Sequence, residues 1–149
     1  MTEIDGHYNM PDKVDYACRL LRKAVGAHGA RLVVVADAAV LEAIDASLWK
    51  FSPTEFIAHC RGADQPFIVA RSPVVLVESG AAALPDRPIL VNLGAELPPR
   101  FERFERLIDI VSSEDADKLA GRTRWRHYKD RGYAIRTHPF GRTAAGSPR

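Results

Sequence analysis

The sequence predicts an α/β fold, a single three-layer domain built on a largely parallel, mixed sheet. Two observations carry that expectation. Short continuous runs of β-branched residues, ARLVVVAD from Ala30 to Asp37 being the clearest, read as strands buried on both faces, and they alternate with segments of helical period. The length of 149 residues suits one compact domain. The expected domain covers residues 1–138, with a small, polar, disordered tail over 139–149.

Val14, Ala17, Cys18, Leu21, Ala24 and Val25 recur at the three-and-four spacing of an amphipathic helix, with Pro11 near its start and Gly26 or Gly29 ending it. After the ARLVVVAD strand, Asp37 is placed to cap a second helix built on Val40, Leu41, Ile44 and Leu48. PFIVA (Pro66 to Ala70), VVLVE (Val74 to Glu78), PILVNLG (Pro88 to Gly94) and RLIDIV (Arg106 to Val111) are read as further strands. Ser112 and Ser113 precede two acidic residues, the pattern of an N-cap, and open a last helix from about Glu114 to Arg131.

Composition narrows the function. The hydrophobic fraction of 46% is that of an ordinary globular chain, and no window approaches the roughly 20 apolar residues of a membrane helix. MTEIDGHYN lacks the basic-then-apolar order of a signal peptide, so a cytoplasmic protein without membrane attachment is expected. Cys18 and Cys60 are too few for a disulfide scaffold and are expected as free thiols.

The net charge of +2 is unevenly spread. Residues 118–136 carry seven basic side chains against Asp130 alone, leaving the rest of the chain net acidic. At 100° per residue, Lys118, Arg122, Arg126 and Lys129 form one stripe of the last helix, bordered by Gly121, Trp125 and Tyr128. No acidic residue lies within the stripe itself, and Gly121 weakens the helix while opening room beside Trp125. Arginine forks beside an aromatic edge suit a peptide that carries carboxylates and an apolar end.

Phosphate-binding signatures are missing: there is no G-x-x-x-x-G-K-[ST] and no G-x-G-x-x-G, and Asp37 follows the first clear strand where a phosphate needs bare amides. The fold expected is therefore Rossmann-like without a nucleotide-binding motif, and no cofactor is expected. His59-Cys60 is half a zinc site with no second pair at ligand spacing. His7, His28, His127 and His138 are scattered and define no triad, so no catalytic or metal-binding set is assigned. A small nucleotide-dependent enzyme sharing the fold, and a protein that binds DNA nonspecifically through the stripe, stand as the alternative functions.

Four segments, YACRLLRKA, LWKFSPTEFIAHC, ILVNLG and RTRWRHYKDRGY, together resemble the chi subunit family of bacterial DNA polymerase III. The likeness runs in order along the chain to about Tyr133. It implies a non-catalytic subunit of a DNA-directed DNA polymerase complex in DNA replication. Such a subunit joins the clamp loader, through the psi subunit, to the acidic, phenylalanine-terminated tail of the single-stranded DNA-binding protein. Contact with DNA would then be mainly indirect, and in some relatives a repair helicase competes for the tail-binding surface. Carried over by residue, tail binding falls to Lys118, Arg122, Trp125 and Arg126, with Trp125 where relatives often have tyrosine. Psi binding falls to Trp49, Phe56, Ile57 and His59.

Overall fold

The computed structural model describes residues 2–50, 59–62, 64–81 and 83–140. Seven strands form one sheet in the order β3-β4-β2-β5-β6-β1-β7. They are β1 (Glu3–Met10), β2 (Leu32–Ala36), β3 (His59–Arg61), β4 (Val74–Glu78), β5 (Ile89–Asn92), β6 (Arg106–Ser112) and β7 (Ile135–Pro139). Every described pairing is parallel, so the expectation of a mixed sheet gives way to an all-parallel one.

The helices are α1 (Lys13–His28), α2 (Ala38–Trp49), α3 (Pro66–Arg71) and α4 (Asp115–Asp130). In β2 the alternation of a strand sends Leu32, Val34 and Ala36 to a core shared with α1 and α2, and Val33 and Val35 to a core shared with Tyr128 of α4. Three layers result. The all-apolar sequence LVVVA is what a strand covered on both faces requires.

Helix α1 begins where Asp12 accepts the Asp15 amide and ends at Gly29, whose positive φ of 61° lets the Gly29 and Ala30 amides return to Val25 and Ala24. Asp37 does hold the N-cap position of α2, but its carboxylate makes no capping hydrogen bond. The cap of α4 is Glu114, one residue past the expected serines, and Ser112 is the last residue of β6.

PFIVA is not a strand. It forms the six-residue helix α3, with Pro66 at its first turn, where the fixed φ and missing N–H of proline fit a helix start. A five-residue apolar run has no readable period, and here only Val69 packs against the core while Phe67 and Ile68 face outward. Three strands carry no such run: EIDGHYNM and IRTHP are mixed in polarity, and β3 has only three residues. Of the expected polar tail, residues 141–149 lie outside the described residues, and Pro139 ends β7.

Both cysteines are buried free thiols. Burial pushes the Cys18 thiol up to about 11, which leaves it a packing group rather than a nucleophile.

Candidate peptide-binding groove

Helix α4 is held to the sheet at three levels. At its start the Asp117 carboxylate accepts the Ser112 amide at 2.6 Å and the Lys13 ammonium at 3.1 Å. Midway, Gly121 meets β6: an added Cβ would stand 2.8 Å from Cγ2 of Val111. Its main role is thus close approach of helix to sheet, not room beside Trp125. Deeper still, Arg124 extends into the core and grips Asp109 through Nε and Nη2, while Nη1 donates to the Ala95 carbonyl.

Tyr128, expected on the border of the stripe, is fully buried and donates to Asp109. Its ring packs edge-on against Phe101. Facing Arg124 and Tyr128 inward leaves Lys118, Arg122, Trp125 and Arg126 on the outer and lateral faces.

Lys118, Gly121, Arg122 and Trp125 line a groove of about 340 Å³ with Tyr8, Asn9 and Val111. Arg126 is exposed on the same helix beyond that lining. Lys118 is partly buried, Arg122 is exposed, and among the described residues neither they nor Arg126 form an ion pair. Trp125 stands edge-on to Tyr8 with ring centroids 5.9 Å apart. The lining holds two cations and two aromatic rings, with no carboxylate, imidazole or thiol. Such a groove attracts an anion that also brings an apolar group.

Tyr8 and Asn9 had no counterpart in the sequence reading. They come from the end of β1, where the pairing with β6 shifts register between His7 and Met10 and Asn9 takes a φ of 63°. The irregularity turns the strand end toward α4. A short polar-interrupted stretch such as GHYNM announces neither the strand nor the bulge.

A second crevice, of about 510 Å³, lies where ligands sit in many open parallel sheets, beyond the carboxyl ends of the strands. Asp12, Asp37, Glu114 and Asp117 line it against Lys13 alone. Phosphate would meet like charge there.

On the opposite layer, Trp49 closes α2 with 64% of its surface exposed. Its ring meets the His59 imidazole at 5.3 Å. That imidazole is itself turned inward, with Nε2 held 2.8 Å from the Asp45 carboxylate, so His59 supports Trp49 from beneath. Phe56 and Ile57 lie outside the described residues.

Residues 1–136 match the family described as DNA polymerase III chi subunit, HolC. The chain belongs to that family. It is 31% identical over 145 residues to the DNA polymerase III subunit chi of Pseudomonas aeruginosa, covering 93% of this chain and 96% of the relative. With the subunit of the same name from Haemophilus influenzae it shares 30% identity over 105 residues, 70% of this chain and 71% of the relative. It is therefore a replication accessory subunit of DNA polymerase III and acts with other subunits of that complex.

Among solved structures, the C-terminal domain of the DEAD-box protein Dbp5 superposes with a TM-score of 0.57 at 14% identity, covering 93% of this chain and 90% of that domain. The S. cerevisiae Dbp5 C-terminal domain bound to Gle1 and IP6 gives 0.58 at 15%, with the same coverage. At that identity the likeness describes the α/β fold alone. Among the described residues, no helix is long and apolar enough to cross a membrane.

Proposed function

We propose that this subunit is a non-catalytic, cytoplasmic bridge. Its α4 groove takes the acidic, phenylalanine-terminated tail of the single-stranded DNA-binding protein, and its Trp49 surface, with Phe56 and Ile57, takes the psi subunit that leads to the clamp loader. The observation that carries the reading is the groove itself. Lys118 and Arg122 reach it without acidic partners, beside the rings of Trp125 and Tyr8. Unneutralised cations next to an aromatic wall complement the two chemical halves of such a tail.

Arg122 would donate to the tail carboxylates through its fork, Lys118 would add a second charge, and Trp125 would pack against the terminal phenylalanine. Arg126, outside the groove, would steer the acidic residues further along the tail. The exposed indole of Trp49 is an apolar anchor of the type that dominates protein interfaces.

A calorimetric titration with the tail peptide of the cognate single-stranded DNA-binding protein tests the first half. Saturable one-to-one binding, lost when the peptide's acidic residues are neutralised, is the expected result; no heat at high micromolar peptide would sink it. For the second half, Trp49→Ala should weaken psi capture while leaving both the melting temperature and tail binding unchanged. A large fall in melting temperature would show that the indole serves the fold instead.

A further inference from the structure

Gly6 lies inside β1, paired with Asp109 of β6 and Thr137 of β7. Glycine weakens a strand interior, and where it persists another group often comes close. Here the group is the groove's own indole. A Cβ on Gly6 would stand 2.5 Å from Cζ2 and 2.7 Å from Cη2 of Trp125. The ring rests directly on the strand backbone.

Among the described residues, no hydrogen bond holds the ring in that seat. Trp125 Nε1 is buried without a hydrogen-bond partner among the described residues, and Tyr8 meets the ring edge-on at 5.9 Å. Contact shape therefore decides where the indole lies.

We infer that Gly6 is a positioning residue for the groove: its missing side chain lets Trp125 sit down on β1, and that seat sets the depth of the apolar wall beside Lys118 and Arg122. The inference rests on reading the groove as a peptide site. With the sheet beneath the ring, a methyl group at position 6 drives the indole outward, into the space a ligand's apolar group would use. A six-membered ring at position 125 is shorter than indole and lacks the Cζ2 and Cη2 atoms that would meet that methyl most closely. Gly6 and Trp125 thus act as a matched pair, small against large.

The full chain tests this in two ways. In titrations with the acidic, phenylalanine-terminated peptide, Gly6→Ala should lower affinity at least tenfold. Adding Gly6→Ala to Trp125→Phe should change affinity less than twofold, because the clash is gone. Independently, in a Trp49→Phe background, where Trp125 is the remaining one of the two tryptophans, Gly6→Ala should shift the emission to the red and raise acrylamide quenching. The inference is overturned by unchanged emission, by parent-like binding of Gly6→Ala, or by equal losses in the parent and in Trp125→Phe. If the parent chain binds no peptide, the adaptor reading falls, and the emission comparison still decides whether Gly6 seats the ring.

Discussion

Arg124 and Asp109 form a two-pronged ion pair in the core, with Nε 3.0 Å and Nη2 2.9 Å from the two carboxylate oxygens and side-chain exposures of 2% and 0%. Burial works against the guanidinium's charge, but Asp109 outweighs it and holds the Arg124 pKa above its ordinary value. Because Tyr128 and the Ala95 carbonyl share the network, the pair fixes both the rotation and the height of α4. Those two settings aim Lys118, Arg122 and Trp125 at the end of β1.

Removing one partner leaves the other charged and dry. Arg124→Ala is expected to cost about 3–5 kcal/mol in urea unfolding, whereas the joint change Arg124→Met with Asp109→Leu should cost markedly less. A single change costing under about 1 kcal/mol would show that the pair is not what holds the helix.

Gly121 offers a test in which two effects have opposite signs. Helix propensity alone makes Gly121→Ala stabilising by about 1 kcal/mol. The contact with Val111 makes it destabilising by about 1–3 kcal/mol through overpacking. A net loss, relieved when Val111→Ala is added, is the outcome expected from thermal unfolding.

Charge and shape in the groove can be separated at Arg122. Arg122→Ala should cost about 1.5–3 kcal/mol of tail binding, and Arg122→Lys should lose part of that because an ammonium cannot reproduce the fork. Trp125→Ala should weaken the full tail but hardly affect a peptide lacking the terminal phenylalanine. Added salt should have only a moderate effect, since a few carboxylates are involved and not a coated phosphate backbone. If Arg122→Lys binds like the parent and the phenylalanine proves dispensable, the surface is merely basic.

Acid should loosen the edge where β1 meets β7. Burial alone would raise the Asp5 carboxyl, but the hydrogen bond from His138 and the charges of Arg106 and Arg136 outweigh it and hold the group below its ordinary value. A lowered folded-state pKa contributes stability that is present above the unfolded value, about 3.9, and is lost as pH falls through the folded one. Stability should therefore decline below about pH 4, and Asp5→Asn should flatten that decline while lowering stability near neutrality. An unaltered acid limb in Asp5→Asn would remove Asp5 from the account.

Much of the architecture was legible in local pattern. The three-and-four spacing from Val14 to Val25 became α1, and LVVVA, VVLVE and RLIDIV became strands covered on both faces, because burial writes itself into neighbouring residues. The stripe of Lys118, Arg122, Arg126 and Lys129 was equally plain, since one helix carries it whole.

Position in the assembled sheet decided the rest. GHYNM is too mixed to mark a strand, and only the placing of β1 between β6 and β7 brings Gly6 beneath Trp125 and Tyr8 and Asn9 to the groove. Arg124 looked like one more cation, and Tyr128 like a surface ring. Their burial follows from Asp109, which lies fifteen and nineteen positions away in the chain and neutralises or bonds both in the core. Which residues seek an apolar layer and which charges share a helix is written in the order of the chain, because those preferences act between near neighbours. The tertiary structure alone decided which charge is paired and dry and which stays free to meet a ligand. That outcome depends on the group across the gap, brought there by chain folding.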